Sequence, residues 1–173
     1  LTVNGYLDLK NSEIIELPEN LTVNGYLSIA LTDIQRIPES LVVKGHLYAT
    51  NLLLESFPNN LKVGGVIILD ETVFKNGLPD NLTVNTDIDL VKTNLTKLPE
   101  NLTVNGVLSI ESTDISEIPD SLVVTDSLSV ENTPVAKKLR EIYRKTRNWT
   151  IFKTLYPKIR LITGIWLNLK TYY

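Results

Sequence analysis

The sequence predicts a mainly β fold: a parallel solenoid of about seven 20-residue coils, closed at its C-terminal end by a helical cap. Three observations predict it. Leu-x-Val recurs at Leu1/Val3, Leu21/Val23, Leu41/Val43, Leu61/Val63, Leu82/Val84, Leu102/Val104 and Leu122/Val124, at spacings of 20, 20, 20, 21, 20 and 20 residues. Prolines keep the same cycle at Pro18, Pro38, Pro58, Pro79, Pro99 and Pro119. Charge divides where the repeat stops: residues 1–133 carry 7 Lys/Arg against 19 Asp/Glu, a net −12, and residues 134–173 carry 10 Lys/Arg against one acid, a net +9. A fixed period outranks local propensity, because it means that each unit buries its apolar side against its neighbours. Two regions follow: a solenoid over 1–133 and a basic cap over 134–173.

In each coil, a stretch such as Leu21-Thr22-Val23-Asn24-Gly25-Tyr26-Leu27-Ser28-Ile29 alternates apolar with polar residues, the period of a strand with one buried face. Glycine at Gly5, Gly25, Gly45, Gly65 and Gly106 marks a corner in that alternation, where positive φ and close backbone approach are both tolerated. Thr86 and Asp126 depart from it. Further inward residues follow at Ile14/Leu17, Ile34/Ile37, Leu54/Phe57, Leu95/Leu98 and Ile115/Ile118. The extra residue falls within Glu71 to Gly77, where a bulge is expected. Coils stacked ~4.8 Å apart make a rod roughly 30 to 35 Å long. Stacking places Asn20, Ser40, Asn60, Asn81, Asn101 and Ser121 in one column, read as a ladder that satisfies turn backbone groups. On this reading the sequons at Asn20, Asn81, Asn94, Asn101 and Asn148 are by-products of the repeat.

After the last coil, Asn132-Thr133-Pro134 is a helix-start signal, since Asn or Thr caps free N–H groups and proline suits the first turn. Val135, Leu139, Ile142 and Tyr143 then share one face at helical spacing and are expected to cover the last coil. Beyond Pro157, Ile159 to Leu169 is apolar, with strand and helix equally open. Arg160 and Asn168 interrupt it, well short of the ~20 apolar residues of a membrane span.

The run Leu7-Asp8-Leu9-Lys10-Asn11-Ser12-Glu13-Ile14-Ile15-Glu16-Leu17-Pro18 follows the pattern LxLxxNxLxxLP, and in this the chain resembles the leucine-rich repeat family over about three quarters of its length. It departs from the family in placing Ser12, Thr32, Thr93, Thr113 and Thr133 where Asn is usual, and in its Val-x-Gly element. Short repeats of this kind look like those of phage, large-virus and bacterial reading frames. The resemblance implies a protein that binds other proteins.

Composition narrows the chemistry. With no cysteine and one histidine, His46, neither a Cys–His pair nor a His-rich zinc site can form within the chain. No phosphate-loop or dinucleotide-binding glycine motif is present, and the carboxylates recur as repeat positions instead of converging as a pair. No enzyme, metal or cofactor is expected. Absence of cysteine also favours an intracellular, cytoplasmic setting. The chain begins inside a repeat and without methionine, so an upstream initiator, capping segment or targeting signal is expected to lie outside it.

Three surfaces are candidates for recognition. Tyr6, Tyr26, His46 and Val66 form an outward strand column, with Tyr48 and Ile68 beside it, where solvated positions would be polar. Cross-strand stacking that steadies the sheet is one reading of this column; binding of a protein partner, or self-association, is the leading functional reading. Glu19, Glu39, Asp80, Glu100 and Asp120 form an acidic column suited to solubility or to docking a basic partner; acidic mimicry by a phage or viral inhibitor of a nucleic-acid-binding protein is the second reading. Lys137, Lys138, Arg140, Arg144, Lys145 and Arg147, with Trp149, Phe152, Tyr156 and Trp166 interleaved, make nucleic-acid binding the third.

Overall fold

The structure, a computed structural model, describes residues 1–146. The expectations for Arg147, the four interleaved aromatics and Ile159–Leu169 fall outside that range.

Each coil places two short strands on either side of the corner. The second strands stack as one seven-stranded parallel sheet: β2 (Leu7–Asp8), β4 (Leu27–Ser28), β6 (Leu47–Tyr48), β9 (Ile67–Ile68), β12 (Ile88–Asp89), β14 (Leu108–Ser109) and β16 (Leu128–Ser129). The first strands stack as two parallel sheets, β1 (Thr2–Val3), β3 (Thr22–Val23), β5 (Val42–Val43) and β8 (Lys62–Val63), then β11 (Thr83–Val84), β13 (Thr103–Val104) and β15 (Val123–Val124). On the third side, among the described residues, β7 (Leu53–Leu54) and β10 (Val73–Phe74) pair, and a single parallel bridge joins Arg36 to Ser56. The architecture is a parallel β-solenoid of six complete turns, with a seventh that gives way to the helix after β16. Its inward column of Leu27, Leu47, Ile67, Ile88, Leu108 and Leu128 is buried throughout, as are Ile34, Leu54, Phe74, Leu95 and Ile115 on the facing side.

The glycine corner has a different cause from one of the two expected. Among the described glycines only Gly77 has positive φ. The corner needs glycine because successive turns touch there: a Cβ on Gly45 would lie 2.8 Å from the carbonyl carbon and oxygen of Gly25. Gly25, Gly45 and Gly65 donate to Gly5, Gly25 and Gly45 at 2.8, 3.0 and 2.9 Å, a hydrogen-bonded column running down the corner. Positive φ instead follows the second strand, at Asn11, Leu31, Asn51, Glu71, Lys92, Ser112 and Asn132. Asparagine tolerates that conformation; leucine does not do so readily.

The serine and threonine positions noted above lie just after these residues and close the turn. The hydroxyls of Ser12, Thr32, Thr93, Thr113 and Thr133 donate to the carbonyls of Leu9, Ile29, Leu90, Ile110 and Val130 at 2.6 to 2.8 Å. The third turn has Leu52 instead, leaving the Ala49 carbonyl without its local donor. Thr72 of the next turn supplies it, reaching back to donate to Ala49 at 2.7 Å while accepting from the Leu52 N–H at 3.3 Å.

Register locates the extra residue. Val73 still pairs with Leu53, an offset of 20, whereas Ile88 pairs with Ile67, an offset of 21, and Pro79 follows Pro58 by 21. The insertion therefore lies between Phe74 and Pro79, at the C-terminal end of the expected segment and beyond it, with Gly77 (φ 72°) in its middle. No strand pairing joins β8 to β11 among the described residues. On the third side the Asn94 carboxamide takes the place of a strand, accepting the Phe74 N–H at 2.8 Å and donating to the Phe74 carbonyl at 3.1 Å.

Helix α1 (Pro134–Thr146) closes the stack. Thr133 caps it by accepting the Ala136 N–H at 3.1 Å, and the Val135 N–H bonds to the Ile115 carbonyl at 3.2 Å. Val135, Ala136 and Leu139 are buried in the solenoid's own core, with Ile142 packed against it, so the cap and the coils share one apolar interior.

Candidate recognition face

Two rows of side chains point out of the seven-stranded sheet, flanking its buried leucine and isoleucine column. One is Tyr6, Tyr26, His46, Val66, Asp87, Val107 and Ser127; the other is Asp8, Ser28, Tyr48, Ile68, Asp89, Ser109 and Ser129. Parallel pairing holds equivalent residues in register, which brings the aromatic residues of the first three turns together. Tyr6 and Tyr26 stack with centroids 4.9 Å apart and planes 6° from parallel. Tyr26 meets Tyr48 edge to face at 5.8 Å, and His46 lies 6.0 Å from Tyr48.

Neighbouring groups fix this cluster in place. His46 Nδ1 accepts the Val66 N–H at 3.0 Å, which leaves the proton of the neutral ring on Nε2. Asp87 does the same job further along, accepting the Val107 N–H at 2.8 Å. Ser28, between the tyrosine rows, is only 6% exposed, whereas Tyr6 at the end of the stack is 65% exposed. The Tyr26 hydroxyl is held above its ordinary pKa, first by withdrawal from water and then by the nearby Asp8 carboxylate. Val66 and Ile68 continue the apolar surface into the fourth turn, half-buried. Beyond them the rows turn polar. Neither row holds a lysine or arginine, and three positions are aspartates.

The acidic column has internal work. Glu19 accepts the Ser40 hydroxyl at 2.6 Å, Glu100 accepts Ser121 at 2.7 Å, Asp80 accepts the Glu100 N–H at 3.0 Å, and Glu39 accepts the N–H groups of Asn59 and Asn60 at 3.3 Å. The same serines accept the N–H groups of Asn20 and Asn101, both at 2.9 Å, and Asn101 donates to Asn81 at 2.9 Å. Acidic and asparagine columns thus interlock from turn to turn. Of the sequons, Asn94 and Asn101 spend their amide nitrogens on these internal bonds.

On α1, Lys137, Lys138, Arg144 and Lys145 are exposed and Arg140 half-buried; Lys138 lies 3.4 Å from Glu117 of the solenoid. The helix thus adds one exposed cross-link to the coils, a contact of small energetic weight. Among the described residues, no group of three or more His, Cys, Asp or Glu is arranged to hold a metal ion, and no helix is long and apolar enough to cross a membrane. A second apolar surface lies on the third side, where exposed Leu53 and Val73 border a groove of about 330 Å³ with Asp33, Gln35 and Glu71.

No family model, curated protein or solved structure matches this chain. Geometry alone therefore carries the functional argument. Two features had no signal in the sequence: the Asn94 carboxamide bonded to both backbone groups of Phe74, and the Asp70 carboxyl, held above its ordinary range by burial and then by the Asp89 charge of the neighbouring turn.

Proposed function

We propose that the protein is a non-enzymatic interaction or scaffolding module that binds a protein partner through the strand face of its first four turns. One observation carries this reading: Tyr6, Tyr26, His46 and Tyr48 form a contiguous ring cluster on an outward face, extended by Val66 and Ile68. Aromatic side chains on a rigid ladder offer a large contact area at small entropic cost, and such residues dominate binding energy at interfaces. The aspartates along the same rows favour a partner bearing cationic groups beside its apolar contacts. The leucine-rich-repeat likeness of the repeat, and the link to phage or large-virus sequences, belong to this reading; the LxL strand with its buried inward column supports the first, and the Ser or Thr that follows departs from it.

Acidic mimicry ranks behind it, because Glu19, Glu39, Asp80 and Glu100 already accept hydrogen bonds from the following turn.

A photo-crosslinking residue placed at Tyr48, and separately at Ser129 on the polar end of the same sheet, tests the proposal in lysate of the source cell. A discrete crosslinked partner is expected from position 48 and not from 129, and lost in a Tyr6→Ser/Tyr26→Ser variant. A crosslink to a second copy would make the partner the protein itself. Equal labelling from both positions, or a partner indifferent to the tyrosines, would remove the strand face from consideration.

A further inference from the structure

Six junctions join the seven turns, and the one between the fourth and fifth turns differs from the rest. Elsewhere two ladders connect neighbouring turns on either side of the corner. At this junction β8 and β11 are unpaired among the described residues, the Asn94 carboxamide ties the third side to Phe74, and a cleft of about 610 Å³ opens beside Phe74, Gly77, Leu78, Asn94 and Leu98. Strand pairing between the two blocks therefore comes down to β9 with β12. Its hydrogen bonds run from Ile67, Leu69 and Glu71 to the carbonyls of Asp87, Asp89 and Val91 at 3.0, 2.9 and 2.9 Å.

That remaining ladder carries a like-charged pair. Asp70, next to β9, and Asp89, on β12, are carboxyls that face each other across the junction, and two charged carboxylates so placed repel unless they share a proton. Asp70 Oδ1 is buried without a hydrogen-bond partner. Glu71 adds negative charge on the same turn; Lys92 opposes it from the next, and is tied up with Glu71 at 2.9 Å. On the β6 side the corresponding rows hold Tyr48 and Thr50, with His46 in the outer row.

We propose that the fourth-to-fifth turn junction is a built-in joint of the solenoid, closed while Asp70 and Asp89 share a proton across it and loosened when both carboxyls are charged. Desolvation and then the charge of Asp89 push the Asp70 carboxyl up from 3.8 to about 6. Because the folded value lies above the unfolded one, the folded state holds the extra proton between those values. The pair's contribution is then greatest at the acidic end, falls as pH rises through that window, and is gone above it. The joint is tight in mild acid and loose at neutral pH. It also separates the aromatic end of the strand face from the polar end, so a partner spanning both would feel its state.

Amide hydrogen exchange of the full chain, corrected for intrinsic rates, reads the joint directly. At pH 7.5 the Leu69 and Glu71 amides should be less protected than Leu47 and Leu108 of the same sheet. Returning to pH 5 should raise their protection about tenfold, less than the full shift because water screens part of the pair. Asp70→Asn, and independently Asp89→Asn, should abolish that pH response while leaving the Leu47 and Leu108 amides unchanged. Uniform protection along the ladder, or a pH response that survives both substitutions, would overturn the proposal.

Discussion

Turns one to four and turns five to seven use the same inward residues and diverge outside. Leu27, Leu47 and Ile67 before the insertion match Ile88, Leu108 and Leu128 after it, all buried and in register. Outward, the first block shows Tyr6, Tyr26, His46, Tyr48, Val66 and Ile68, and the second shows Asp87, Asp89, Ser109, Ser127 and Ser129. The corner differs as well: glycine is unbroken from Gly5 to Gly65, whereas the second block has Thr86, Gly106 and Asp126. Backbone form is thus set by the shared inward rows, and each block's surface is free to vary because neighbouring turns constrain it only weakly.

The largest test of this comparison is at the corner. Gly45→Ala places a methyl 2.8 Å from the Gly25 backbone, which cannot yield as a side chain would, so a loss of about 3 kcal/mol is expected in urea unfolding. Gly5→Ala meets nothing within 4 Å, and should change stability by less than about 0.5 kcal/mol. Equal losses at the two sites would mean that backbone freedom, not the stacking of turns, is what the corner requires.

A smaller difference distinguishes the third turn from the rest. Thr72→Val removes the donor to Ala49 and the acceptor of the Leu52 N–H in one step, with an expected cost of about 2 to 3 kcal/mol. Thr113→Val leaves only the Ile110 carbonyl without its donor, and should cost about 1 kcal/mol. Thermal or urea midpoints in the reverse order would show that the cross-turn reach of Thr72 is incidental.

The smallest effect is a gain. Leu31 sits at φ 56° with an exposed side chain, in the same column as Asn11 and Asn51. Leu31→Asn should stabilise by about 1 kcal/mol, measured as a higher urea midpoint with an unchanged slope. No gain would mean that the turn already absorbs the strain.

The period, the inward rows, the capping Thr133 and the alternation of faces were all legible in the sequence, because each follows from a residue's own repeat position. Features that depend on which turn a side chain reaches were not. Thr72 looks like one more turn-closing threonine until Leu52 is seen to need it. Asn94 reads as a sequon, yet its amide bonds both backbone groups of Phe74 in the turn before it. The acidic column looks like a repelling strip, although its members accept donors from the turn that follows. Asp70 and Asp89 sit at different repeat positions, and only the register, which also brings Ser129 against Glu111 two turns on, shows that these positions face each other. For the candidate site, the rows were readable; the ring geometry and the role of His46 Nδ1 were not.

The added residue near Gly77 also bears on how such a chain can change over generations. A one-residue slip inside a strand would turn every later side chain to the wrong face. Here the length change falls between Phe74 and Pro79, outside the strands, and although β8 and β11 stay unpaired, the pairing of Ile67 with Ile88 restores the phase. That loop has accepted foreign length at the cost of one ladder, without passing the error downstream. It is therefore where a grafted loop or a peptide tag would leave the register of the remaining turns unchanged.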